Sequence, residues 1–147
     1  MKTVAIDFDG VIHQYSKGWQ DGSIYDPPVA GAFDAIENLI LRDYSVFIFT
    51  SRSPSQVKKW MIQNTYESEY AVEGMGGDPS RLIYPKYGFT VEKIPLWVNF
   101  WNKQNVVGVT SRKLPAIAYI DDRAICFRGS WYDTLSAIEN FETYQSP

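Results

Sequence analysis

Cysteine and histidine are all but missing from this chain, each occurring once, as Cys126 and His13. A single cysteine excludes a disulfide within the chain, and its apolar setting, Ala124-Ile125-Cys126-Phe127, predicts a reduced, buried thiol. With no His/Cys cluster there is no soft-ligand metal site to look for. Charge of one sign is missing too. A net charge of −3 gives no strongly basic surface for nucleic acid or membrane, although a local patch would escape this test. No apolar run approaches the length of a membrane span, and Asp7 and Asp9 interrupt any signal-like apolar stretch near the start. A cytoplasmic protein with no membrane partner is therefore the expectation. Repeats, low-complexity tracts and linkers are absent as well, and 147 residues suit one domain, spanning 1–147, with a core of ordinary size.

What the chain does have is a run, Val4-Ala5-Ile6-Asp7-Phe8-Asp9-Gly10-Val11, in which a short apolar segment ends in two carboxylates and a glycine. Val4, Ala5 and Ile6 are too few for a helix and suit a strand buried on both faces, as in the middle of a parallel sheet. In open α/β sheets ligands lie beyond the carboxyl ends of the strands. Asp7 and Asp9 fall at that edge, and Gly10 predicts an immediate turn. A solvated Asp-x-Asp-Gly turn would explain this stretch taken alone.

The following segment, His13 to Pro28, holds Gly18, Gly22 and Pro27-Pro28, too many breakers for a regular element. It predicts a flap over the strand end, with His13, Tyr15, Lys17, Trp19 and Tyr25 able to face a ligand; for His13, packing on aromatics within the flap is the favoured reading. Val29 to Arg42 carries Ala32, Phe33, Ile36, Leu39 and Ile40 at helical spacing. Ser45 to Thr50 then reads as a strand, closing a right-handed βαβ unit whose second strand ends in Thr50-Ser51-Arg52. A helix from Pro54 to about Tyr66 follows, with Val57, Trp60, Met61 and Asn64 along one side. Residues 71–81 are glycine-rich and predict a loop, and Leu82-Ile83-Tyr84 a short strand ended by Pro85. Ile94 to Gln104 reads as a helix opened near Pro95 and apolar almost all round, either buried between layers or forming an interface; Trp97 and Trp101 stand at i, i+4 in it. After the apolar run Val106-Val107-Gly108-Val109 come Lys113 and a second apolar strand, Ala116 to Ile120, which ends in Asp121-Asp122-Arg123. Ala124 to Phe127 suggests a last short strand. Trp131 to Phe141 reads as a closing helix with Leu135, Ile138 and Phe141 inward. The alternation predicts a three-layer α/β/α sandwich.

Two acid pairs, a hydroxyl and a lysine therefore fall beside predicted strand ends. Carboxylates crowded at one edge repel each other unless a cation is present. Oxygen ligands alone favour a hard ion, Mg²⁺ first. A metal beside a carboxylate, a hydroxyl and an amine suggests phosphate, with Lys113, the Thr50 hydroxyl and the backbone N–H groups around Asp9 and Gly10 on its oxygens. Such a site would stabilise the charge of phosphoryl transfer. Asp7 is then the best-placed nucleophile and Asp9 the general acid and base.

In order and type, Asp7-Phe8-Asp9-Gly10-Val11, Thr50, Lys113 and Asp121-Asp122 resemble the four motifs of the haloacid dehalogenase-like (HAD) phosphatases, a match spanning residues 4–123. The resemblance implies a Rossmannoid parallel sheet with a flap after the first strand and no large cap domain, although residues 67–91 leave room for a small one. It implies Mg²⁺ held by Asp7, the main-chain carbonyl of Asp9, and Asp121 or Asp122, with Thr50 and Lys113 on the phosphoryl group. The second acid, Asp9, marks a phosphatase rather than a dehalogenase. Thr50-Ser51-Arg52 and Asp121-Asp122-Arg123 are also similar to the phosphatase half of polynucleotide kinase-phosphatases, in which case Ser51, Arg52 and Arg123 would lie on the substrate side and the substrate would be a nucleic acid 3′-end. A phosphorylated small molecule is the alternative substrate, and either arginine could instead pair with a carboxylate of the chain. Two other classes remain: a phosphoacceptor receiver domain, whose acids come in a different order, and a non-catalytic binding module of the same fold.

Overall fold

The computed structural model describes residues 2–70 and 81–145. The apolar runs form strands and the amphipathic segments form helices, in the order β1 (Lys2–Asp7), α1 (Ala32–Leu41), β2 (Tyr44–Phe49), α2 (Pro54–Thr65), β3 (Tyr66–Tyr70), β4 (Arg81–Pro85), β5 (Thr90–Lys93), β6 (Val106–Thr110), β7 (Ala118–Ile120) and α3 (Trp131–Glu139). Five strands make one parallel sheet in the order β5-β6-β2-β1-β7, and β3 and β4 pair as a separate antiparallel ribbon. The fold is thus α/β, with a central parallel sheet flanked by helices. Among the described residues no helix is long and apolar enough to cross a membrane.

Parallel pairing puts the strand ends in one row. Asp7 lies opposite Phe49 across the β1/β2 pair, and Phe49 opposite Thr110 across β2/β6. The residues that follow β1, β2 and β7 therefore emerge at one sheet edge, as parallel strands require.

The sheet has two differently built faces. On one, Val4, Ile6, Val46, Ile48, Val107 and Val109 pack with Phe33, Ile36 and Ile40 of α1 and Val57, Trp60 and Met61 of α2. On the other, Ala5 and Phe47 pack beneath Ile94, Trp101 and Leu114. Those three belong to irregular chain. The helix predicted over 94–104 is not formed: Pro95 starts a turn closed by the Val98 N–H on its carbonyl at 3.0 Å, and the carbonyl of Trp101 is taken by the hydroxyls of Thr3 (2.8 Å) and Ser45 (3.3 Å). A carbonyl bound from the strands below is unavailable to a helical ladder. Trp101 is 2 % exposed and Trp97 81 %, so the two indoles share neither face nor role. Gly108 is the sheet's concession to Trp101, because a Cβ there would collide with the Trp101 ring and the Ile94 side chain.

Two further expectations are corrected. Ala124 to Phe127 forms no strand, so Cys126 is exposed rather than buried. The closing helix ends at Glu139 and buries none of its residues, and Leu135, Ile138 and Phe141, expected inward, are exposed. His13 packs on aromatic rings, as expected of it within the flap, and is fully buried against Phe8, Tyr25 and Trp60. The glycine-rich loop predicted at 71–81 falls outside the described residues up to position 80, and Arg81 begins β4. The strand predicted at 82–84 is present within it.

Candidate functional site

β1 ends at Asp7, and the chain then turns back on itself. Gly10 takes a left-handed conformation, φ 84°. This lets the N–H groups of Ile12 and His13 reach the Phe8 carbonyl at 2.9 and 3.0 Å, and the Gly10 N–H reach the His13 carbonyl at 2.8 Å. A side chain at position 10 would be strained there and would overlap the Asp122 carboxylate. Glycine is therefore what allows the ends of β1 and β7 to close on each other.

Three carboxylates meet at this edge. One oxygen each from Asp7, Asp121 and Asp122 lies within 4.8 Å of the others. Burial, then the charges of Asp121 and Asp122, push the Asp7 carboxyl up to about 7, against the Phe8 N–H bond that pulls it down. The Asp122 side chain is 3 % exposed; among the described residues its nearest cation is the exposed Arg123 guanidinium at 4.0 Å, and its Oδ1 has no hydrogen-bond partner. A buried carboxylate oxygen without a donor costs free energy that a bound cation would offset. Three oxygen ligands, no nitrogen or sulfur, and surplus negative charge fit a hard divalent ion.

Beside Asp7 and Asp121 opens a pocket of about 280 Å³, lined also by Phe49, Lys113 and Tyr119. Lys113 is exposed, with Nζ 5.0 Å from the Tyr119 ring centre, so an ammonium borders the acidic cluster and is free to meet an anion there. Thr50 is buried at the end of β2, where its Oγ1 accepts the Arg52 N–H at 3.0 Å and its own N–H donates to the Thr110 carbonyl. Ser51 is exposed.

Asp9 stands apart from the other acids. Its Oδ1 accepts from His13 Nδ1 at 2.8 Å and its Oδ2 from Arg52 Nε at 2.7 Å. Arg52 is 2 % exposed. Its Nη1 donates to the Gly22 carbonyl at 2.6 Å and its guanidinium lies 4.5 Å from the Trp19 ring centre, so the residue expected on the substrate side is turned onto the flap. Arg123 stays outside, 64 % exposed.

The ends of β2 and β6 repeat a pattern. Thr110-Ser111-Arg112 caps its arginine N–H with the threonine hydroxyl at 3.0 Å, as Thr50-Ser51-Arg52 does. Arg112 then donates to the carbonyls of Leu96 and Val98 and to Asn99, and so pins the irregular layer as Arg52 pins the flap. Two residues at the edge had no sequence signal. Tyr144 donates to the Gly10 carbonyl at 2.6 Å, a contact across almost the whole chain, and Gln56 joins Arg52 on the Gly22 carbonyl at 2.9 Å.

Set against family models, curated proteins and solved structures, the chain matches none.

Proposed function

We propose that the chain is a Mg²⁺-dependent phosphomonoester hydrolase of the HAD type that works through an aspartyl-phosphate. The observation that carries this is the convergence of Asp7, Asp121 and Asp122 at one strand edge, with a buried Asp122 oxygen left without a partner. The parallel sheet with β1 inside it, between β2 and β7, supports it at the level of fold, and Lys113 bordering the cluster supports an anionic substrate.

In this reading Asp7, Asp121 and Asp122 hold the ion, which when bound neutralises their charge and that of the phosphoryl oxygens. An Asp7 oxygen attacks phosphorus, the bond from phosphorus to the ester oxygen breaks, and Asp9 in its acid form gives that oxygen a proton. Water then attacks the acyl phosphate, Asp9 takes the proton it sheds, and inorganic phosphate leaves with Asp7 restored. Lys113 offsets charge on the phosphoryl oxygens, and the Thr50 hydroxyl, which accepts from Arg52, retains its own proton to donate. Asp9 oxygens already accept one hydrogen bond each, and each keeps a lone pair for the proton it exchanges.

A phosphorylated small molecule is the favoured substrate. The nucleic acid 3′-end reading leans on Arg52 and Arg123 as free cations, and Arg52 is engaged by Asp9 and the flap. The test is phosphate release with Mg²⁺ from an aryl phosphate, sugar phosphates, mononucleotides and 5′- and 3′-phosphorylated oligonucleotides. EDTA and Asp7→Asn abolish release if the mechanism holds; activity surviving in Asp7→Asn overturns the nucleophile, and a 3′-phosphorylated oligonucleotide outpacing every small ester overturns the substrate class.

A further inference from the structure

His13 is the chain's one histidine, and its imidazole is wholly buried although it belongs to the start of a loop. Packing accounts for part of this, since the ring stacks on Phe8 at 5.6 Å and meets Tyr25 and Trp60 edge-on at 5.4 and 5.8 Å. Any flat apolar side chain would do as much. The ring nitrogens are more specific. A backbone N–H can only donate, so the Asp26 amide, 3.0 Å from Nε2, makes that nitrogen an acceptor. The proton of the uncharged ring is then on Nδ1, which donates to Asp9 Oδ1 at 2.8 Å. Asp26 is itself fixed, its Oδ2 accepting from the Ser16 N–H and hydroxyl, each at 2.6 Å.

The other Asp9 oxygen is held in the same manner. Arg52 donates to it through Nε and to the Gly22 carbonyl through Nη1. Each oxygen of Asp9 is thus gripped by a side chain whose far end is fastened to the flap, at Asp26 on one side and Gly22 on the other. A carboxylate with both oxygens fixed can present its remaining lone pairs in one direction only, and misplacing an acid by about 1 Å is enough to cost on the order of a hundredfold in rate.

We infer that His13 is a positioning residue, through which the seating of the flap on Asp26 sets the direction of the Asp9 carboxylate. The inference rests on the phosphatase reading above, because only there does the direction of Asp9 matter to a reaction. It assigns the flap a part in catalysis that needs no contact with substrate.

Two measurements test it. Because His13 is the sole histidine, long-range ¹H–¹⁵N spectra of the intact protein report its ring without ambiguity. The expected result is the Nδ1–H tautomer, the minority form of free imidazole, with an unprotonated Nε2 whose ¹⁵N shift moves when Asp26→Pro removes the amide that donates to it; Nε2–H in the unmutated protein, or an Nε2 shift unmoved in Asp26→Pro, overturns the inference. The second measurement compares kcat/KM for an alkyl phosphate, whose poor leaving group needs a well-aimed acid, with that for 4-nitrophenyl phosphate, whose leaving group needs little help. His13→Leu, which packs but cannot donate, should lower the alkyl ester at least tenfold more than the aryl ester. His13→Asn, whose amide can donate from the Nδ1 position, should restore most of the difference. Equal losses on both esters in both variants would mean that the histidine only packs, and the inference falls while the phosphatase reading stands. If the unmutated protein hydrolyses neither ester, the reading fails and the inference goes with it, whatever the tautomer.

Discussion

The acidic cluster should make the folded protein sensitive to magnesium in a way that depends on pH. With its carboxyl raised from 3.8 to about 7, Asp7 is neutral below pH 3.8 in both folded and unfolded chains and contributes nothing there. Between those values the unfolded chain releases its proton first, so stability falls as pH rises, and above about 7 the loss is complete. At 1.36 kcal/mol per pH unit the full loss is about 4 kcal/mol. Asp7 is half-buried rather than enclosed, and solvent screening brings this to about 2 kcal/mol. A divalent ion between Asp7, Asp121 and Asp122 would offset both the burial of the charged Asp7 carboxyl and its repulsion by the other two. For a chain of this length, with about 2–4 °C per kcal/mol, saturating Mg²⁺ should raise Tm by about 4–8 °C at pH 8. At about pH 5 the folded Asp7 holds its proton, the ion must displace it, and the rise should be at most about 2 °C.

Thermal unfolding followed by circular dichroism or calorimetry, with and without Mg²⁺ at matched ionic strength, measures both shifts. Asp122→Asn sharpens the test. It removes one charge from the cluster, so without metal at pH 8 the variant should melt above the unmutated protein, and it should lose most of the response to Mg²⁺. Equal Mg²⁺ shifts at the two pH values, or a full shift retained in Asp122→Asn, would refute the cation site.

Two shorter predictions probe what positions the site. Trp101→Ala opens a cavity over Ala5, Phe47 and Gly108 and should cost about 3–5 kcal/mol in denaturant unfolding, whereas Trp97→Ala should stay within about 0.5 kcal/mol; similar costs for both would restore the helical reading of 94–104. Gly10→Ala forces a Cβ into a left-handed residue and onto the Asp122 carboxylate, and should cost at least about 1–2 kcal/mol and abolish the Mg²⁺ shift; a variant that melts and binds Mg²⁺ like the unmutated protein would show that the two strand ends do not close here.

Much of the site was legible because its residues sit where local pattern changes. Val4-Ala5-Ile6 breaks off into Asp7, Val46 to Phe49 breaks off into Thr50, and Ala118 to Ile120 into Asp121, so strand ends could be located from composition alone and parallel pairing did the rest. The 94–104 segment was not legible for the opposite reason. Its apolar residues lie on all sides, a pattern equally compatible with a buried helix and with an irregular cover, and the choice was made by Thr3 and Ser45, whose hydroxyls claim the Trp101 carbonyl from strands 98 and 56 residues away. β5 was missed because of its four residues only Val91 is buried, too little for a period to register.

The sequence suggested four acids at one edge, and the structure divides them by charge balance. Asp7, Asp121 and Asp122 share one small volume in which, among the described residues, the single ion pair is the 4.0 Å contact of Asp122 with an exposed arginine, while Asp9 has Arg52 and the His13 Nδ1–H on its two oxygens and requires no ion. The same division explains why Arg52 is buried. A desolvated guanidinium is costly unless paired, and here it is paired with Asp9, a flap carbonyl and the Trp19 ring, so removing it as Arg52→Ala would strand a part-buried carboxylate as well as loosen the flap. In the proposed reaction the acids that would hold the ion are thereby fixed at strand ends and the acid that would transfer the proton by the flap. The aim of the nucleophile then depends on the sheet, and proton transfer, in both steps, on whether the flap is seated.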